Sequence, residues 1–106
     1  MAESIVRRDD ENHRYTLSVD GELAGFTEIR RDDAGRLVMP HTVIIPSFRG
    51  RGLAGVLVDG ALADAAARGE TVVPVCPVVQ KQAQKHLRDH EIDGLIVEWP
   101  AGGGGV

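Results

Sequence analysis

A chain of 106 residues is long enough for one domain with a single core. With 42% apolar and 26% charged residues its composition is that of a globular protein, and a formal charge of −4 argues against general nucleic-acid binding, which needs cations along a phosphate backbone. No apolar run approaches membrane-spanning length, Met1-Ala2-Glu3-Ser4 lacks the build of a secretory signal, and a single cysteine excludes an internal disulfide, so a cytoplasmic protein with no membrane partner is expected.

Ser4-Ile5-Val6-Arg7 reads as a short first strand, closed by the turn-rich Asp9-Asp10-Glu11-Asn12. From His13 to Val19, Tyr15, Leu17 and Val19 alternate with polar residues, the period of a half-buried strand. Asp20-Gly21 signals a two-residue hairpin, because both positions tolerate positive φ. A third strand is expected from about Glu22 to Arg30, with a bulge at Gly25 where the alternation loses phase. A turn at Asp32-Asp33-Ala34-Gly35 leads to a fourth strand, Arg36 to Ile45, which stops at Pro46. The one long helix spans about Arg51 to Arg68, alanine-rich and stopped by Gly69. Thr71 to Cys76 is a fifth strand carrying Pro74, which belongs at a bulge or unpaired position. Pro77 opens a second helix running to about His90, and Gly94 to Trp99 is a final strand. The expected fold is α+β: an antiparallel meander, then a β-α-β-α-β unit whose fourth and fifth strands are parallel because a helix joins them. A single domain over residues 1–100 and a flexible glycine-rich tail over 101–106 complete the expectation.

The chemistry concentrates in Ile44-Ile45-Pro46-Ser47-Phe48-Arg49-Gly50-Arg51-Gly52-Leu53-Ala54, where a β-branched run passes through a glycine loop into a helix. Glycines let backbone N–H groups approach an anion closely, and the helix start adds free donors and a positive dipole end. Such a loop suits a pyrophosphate. Arg49 and Arg51 flank it; Lys81 and Lys85, the only lysines, either extend the basic pocket or merely solvate a helix face. Cys76 reads as a nucleophilic thiol beside a helix N-terminus or as a small buried hydrophobe. His41 reads as a base for an incoming amine or as a hydrogen-bonded residue fixing its strand. His86 and His90 are spaced i, i+4, but Leu87-Arg88-Asp89 between them lacks the glutamate of a zinc-protease motif, so no metal is expected.

These residues resemble the GCN5-related N-acetyltransferase superfamily, whose central motif is Arg or Gln, two residues, Gly, one residue, then Gly or Ala, here Arg49, Gly52 and Ala54. Ile44-Ile45-Pro46 matches its upstream apolar-x-Pro. The chain looks like the small single-domain members, which carry His-Thr before the loop (His41-Thr42), Pro-x-Cys after the main helix (Pro74-Val75-Cys76) and a histidine where His90 stands. The resemblance spans about Leu37 to His90 and implies acetyl-CoA as co-substrate. It implies that amides from Arg49 through Gly50, Arg51, Gly52 and Leu53 to Ala54 hold the CoA pyrophosphate; Ile44 and Ile45 and, for its charge, Lys81 are expected in the same site. The pantetheine would pair in a cleft where the fourth and fifth strands splay apart, with the Ile44 N–H facing the thioester carbonyl. Larger relatives carry a tyrosine in the last helix that protonates the departing thiolate; Leu87 stands there, and Tyr15 lies in an early strand. The reading is therefore an acetyl-CoA-dependent N-acetyltransferase of an unidentified amine, small molecule or protein lysine, acting as a monomer or weak homodimer. The alternative is a CoA- or acyl-CoA-binding module with little or no turnover. Gly52-Leu53-Ala54-Gly55 also fits the Gly-x-x-Gly of an RNA-binding KH-like loop, but that loop joins two helices, and here a strand precedes it.

Overall fold

The computed structural model describes residues 3–100, so the glycine-rich tail expected over 101–106 lies outside the described residues. β1 (Ser4–Asp9), β2 (Arg14–Val19) and β3 (Glu22–Glu28) form the antiparallel meander. Asp20 (φ 50°) and Gly21 (φ 85°) make the expected tight hairpin, closed by the Val19–Glu22 pair. Tyr15, Leu17 and Val19 are buried while Arg14, Thr16 and Ser18 are not, so the period-2 pattern is realised as an inner and an outer sheet face. The bulge is present as well. Leu17 pairs with Gly25 and Ser18 with Leu23, leaving Ala24 as the extra residue. Gly25 is required there: a Cβ would lie 2.6 Å from the Val43 carbonyl oxygen of the neighbouring strand.

The third and fourth strands are not continuous, which corrects the expected Glu22–Arg30 and Arg36–Ile45 segments. Ile29 turns into the core, and β4 (Arg30–Arg31) starts a second sheet. Likewise β5 (Leu37–Met39) and β6 (Thr42–Ile44) are separated by Pro40 and His41. Pro40 has no N–H to donate, so the ladder is interrupted there and the chain changes sheets. The first sheet runs β1-β2-β3-β6 and is antiparallel throughout. The second runs β4-β5-β7-β8, with β7 (Thr71–Pro74) parallel to β5, and β8 (Ile96–Val97) parallel to β7. Only half of the fourth strand is thus parallel to the fifth. β7 and β8 are also shorter than the expected Thr71–Cys76 and Gly94–Trp99.

Pro74 shows why β7 tolerates a proline. Met39 O accepts from the N–H groups of Val75 (3.2 Å) and Cys76 (3.0 Å), while Val72 O accepts from Glu98 N–H. Alternation then turns the Pro74 nitrogen towards β8, which ends opposite Val72. Its missing donor has no partner to lose.

α1 (Leu53–Ala67) begins two residues later than expected because Gly52, at φ 71°, is left-handed and precedes it. The helix is apolar nearly all round, because it packs on the inner face of the first sheet and also against α2 (Pro77–Asp89). Gly60 permits the closest approach: a Cβ there would fall 2.7 Å from the Val6 side chain. Gly69 (φ 71°) ends α1 and Pro77 sits in the first turn of α2, both as expected. The core between sheets and helices is aliphatic: Leu17, Leu37, Met39, Leu57, Val58, Leu62, Val72 and Val79 are wholly buried. Each contributes on the order of 1.5–3 kcal/mol by burial.

Tyr15 is the one wholly buried aromatic, and its hydroxyl is satisfied by the Asp64 carboxylate at 2.7 Å. Asp64 also takes Arg68 Nε at 2.7 Å. Arg8 Nη1 lies 3.4 Å from the tyrosine oxygen and donates to Glu70, which accepts from Arg31 Nη2 at 2.7 Å as well. This network ties β1, β2, β4, α1 and the start of β7 together at the end of the molecule remote from the glycine loop. Burial and the Asp64 hydrogen bond push the Tyr15 hydroxyl up, and the Arg8 guanidinium holds the Glu70 carboxyl below its usual range.

Candidate active site

β6 ends at Ile44, and a 3-10 turn, Pro46–Phe48, carries the chain into the glycine loop. Phe48 and Arg49 N–H groups are used within that turn, donating to Ile45 O (2.8 Å) and Pro46 O (3.2 Å). Beyond it, Gly50 (φ 81°) and Gly52 (φ 71°) adopt a conformation that side chains disfavour, and open space lies where their Cβ atoms would stand. No side chain caps the start of α1, and no acidic residue occupies its first turn. The first-turn N–H groups therefore stay available, with the helix dipole behind them. Ile44, Phe48, Arg49, Gly50, Gly52, Leu53 and Ala54 line a pocket of about 140 Å³ at this point.

The rest of the site follows from β6. Ile45 N–H donates to Ala24 O (2.8 Å) and Glu28 N–H donates to His41 O (2.8 Å), so odd-numbered residues of this segment bond to β3. By alternation the Thr42 and Ile44 main-chain groups point to the opposite edge, where β7 has already turned away into α2. Among the described residues no strand pairs with that edge; Arg49 Nε reaches the Ile44 carbonyl at 3.3 Å and leaves the Ile44 N–H alone. The splay between the fourth and fifth strands is this separation of β6 from β7.

Cys76 lies at the end of β7 and the start of α2, only 6% exposed, with Sγ donating to Thr42 Oγ1 at 3.4 Å. Thr42 in turn shares a hydrogen bond with the buried Thr27 hydroxyl at 2.9 Å. These three groups occupy the inner face of the first sheet. His41, adjacent to Thr42, is exposed and stands across from Glu28 on the outer face. Thiol and imidazole thus flank the open edge of β6 from opposite faces of the sheet.

The remaining expected residues are placed less centrally. The Ile45 amide is committed to β3, Arg51 stacks over the Phe48 ring (5.4 Å to its centroid), and Lys81 is exposed on α2, away from the pocket walls. Phe48 and Thr42 were missed by sequence reasoning. The aromatic inside the motif was the available signal for Phe48; for Thr42 only the sheet register reveals the link to Cys76. His86 is buried and paired through Nε2 with Asp59 of α1 (2.6 Å), which also accepts from Gln82 (2.7 Å). It clamps α2 to the helix that begins at the glycine loop. His90 is the left-handed cap of α2. Among the described residues no group of three or more His, Cys, Asp or Glu is placed to hold a metal ion, and no helix is long and apolar enough to cross a membrane.

Two four-stranded sheets with both helices on their inner side, and an uncapped glycine loop beside a free strand edge, define an α+β protein. The family model for GCN5-related N-acetyl-transferase matches residues 14–92, and the chain belongs to that family. The matched span includes His41, the whole glycine loop and Cys76. No curated protein sequence matches the chain significantly.

Proposed function

We propose that the protein is an acetyl-CoA-dependent N-acetyltransferase that acts on an amine. The observation that carries this reading is the loop before α1, with two glycines at positive φ, a helix start without a side-chain cap, and an open pocket alongside. Such donors fit a pyrophosphate, because main-chain N–H groups and a helix dipole converge on an anion without the reach of long side chains. Gly50 and Gly52 keep the approach clear, and Arg49 and Arg51 add positive charge at the rim. Acetyl-CoA, when bound, supplies an acyl group activated as a thioester.

The chain's own groups divide the remaining work. The Ile44 N–H on the free edge of β6 is suited to stabilise negative charge developing on the acyl oxygen. His41, exposed beside that edge, accepts the proton that the attacking amine must lose. The C–N bond forms as the C–S bond breaks, and the departing thiolate takes its proton from water. Tyr15 cannot serve as that acid, since its hydroxyl is held by Asp64 in the core. Direct transfer agrees with the burial of Cys76 and its hydrogen bond to Thr42. A covalent route through the Cys76 thiol is the second reading, favoured by its place beneath the same edge.

The test is a titration with CoA followed by incubation with acetyl-CoA and a panel of amines, read by free-thiol release. Gly52→Asp is expected to abolish CoA binding with the fold retained, because a carboxylate repels the pyrophosphate and fills the open approach. Unchanged affinity in that variant would remove the reading's main support. Binding without thiol release above hydrolysis would leave a CoA-binding module.

A further inference from the structure

A depression larger than the one at the glycine loop lies elsewhere on the molecule. It occupies about 430 Å³ on the outer face of the first sheet, lined by Asn12, His13, Arg14, Phe26, Glu28, Ile29 and Arg30. Its floor follows from strand register. Arg14 pairs with Glu28 and Glu28 stands opposite His41, so these three side chains form one row across β2, β3 and the approach to β6. Phe26 lies in the next row, opposite Thr16 and Val43, and Arg14 stacks over its ring at 5.1 Å.

The charges of this depression are incompletely paired. The Arg14 Nε is shut off from solvent without a hydrogen-bond partner, and the Asp9 carboxylate stands 3.5 Å from it. Neither the Glu28 carboxylate nor the Arg30 guanidinium belongs to any ion pair among the described residues. Glu28 and Arg30 project two residues apart along the same outer face. A cavity offering one unpaired carboxylate and two guanidiniums, floored by an aromatic ring, is complementary to a zwitterion. By strand register Glu28 is also the cross-strand neighbour of His41, which stands beyond the lining of the depression.

We infer that this depression is the acceptor subsite and that the acceptor is a small amine bearing a carboxylate, of the amino-acid type. Glu28 holds the ammonium next to His41, and Arg14 and Arg30 hold the carboxylate. This assignment rests on the acetyltransferase reading above, but its binding chemistry is independent of the coenzyme. Lysine and cadaverine differ only by the carboxylate, which makes them the decisive pair of probes.

The experiment is a backbone-amide NMR titration of the whole chain with lysine, with cadaverine and, separately, with CoA. Lysine is expected to shift residues 12–14 and 26–30 at least about tenfold more tightly than cadaverine, since a charged hydrogen bond to a guanidinium is lost with the carboxylate. Arg30→Met should cut that difference at least about threefold, Arg14 still holding the carboxylate, while leaving the CoA-dependent shifts at residues 49–54 unchanged. Equal affinities, no shifts on the outer face, or a preference undiminished in Arg30→Met would each overturn the inference. If CoA shifts 49–54 and lysine shifts nothing, the coenzyme reading stands and the acceptor assignment falls. Lysine binding on the outer face without any CoA binding would also overturn the acceptor assignment, since no acyl donor then serves that subsite.

Discussion

Gly25 and Gly52 illustrate how differently one residue type constrains this protein. At Gly25 the constraint is space. A methyl group would press on the Val43 carbonyl from 2.6 Å, so Gly25→Ala should displace β6 from β3 and cost about 1–3 kcal/mol in a urea titration. At Gly52 the constraint is the left-handed backbone and the open side where an anion would lie. Cys76 and His41 separate the routes for acyl transfer. Under direct transfer, Cys76→Ala keeps thiol-release turnover within about tenfold and loses about 1 kcal/mol of stability, as befits a small buried side chain. A drop beyond a hundredfold would establish the covalent route instead. His41→Ala is expected to lower turnover by about 10²-fold with CoA affinity unchanged, the signature of a lost general base.

Elements here are joined by polar clamps as much as by apolar packing. α2 is fastened to α1 by His86 and Gln82 on Asp59, and the opposite end of α1 is fastened to β2 by Tyr15 on Asp64. Tyr15→Phe leaves the Asp64 carboxylate short of a donor and should cost about 1–2 kcal/mol, measured by thermal or chemical unfolding. Glu70 bridges Arg8 of β1 and Arg31 of β4. Its folded-state pKa lies below the ordinary 4.5. The stability it contributes is therefore complete above that value and is lost as pH falls through the depressed one. Glu70→Gln should weaken the protein near neutrality and flatten the acid limb of its stability profile below about pH 5, as measured by denaturant midpoints across pH.

At the scale of the whole molecule, both helices cover the inner side of the sheets, leaving the outer face of the first sheet open. The free edge of β6 is accessible because β5 and β6 belong to different sheets. Had Arg36 to Ile45 run on as one strand beside β7, the edge would be paired and no cleft would exist. The site is thus a product of the break at Pro40 and His41. One consequence is testable by exchange: the Ile44 amide, lacking a strand partner, should exchange with deuterium faster than Val43 and Ile45, which are bonded to β3. Addition of CoA should slow Ile44 selectively.

Read as letters alone, the chain already contained its hairpin, the bulge at Gly25, both helices, α1 with its glycine stop and α2 with its proline start, and the loop that would take a diphosphate. Each is set by neighbours within a few residues, through φ preferences, missing donors and hydrophobic period. The division into two sheets, the pairing of β8 with β7, the Thr27–Thr42–Cys76 chain and the row Arg14–Glu28–His41 were not legible in that way. They depend on which strands meet and in what register, and on which face each side chain then occupies. Those are decided only when residues distant in sequence compete for the same core.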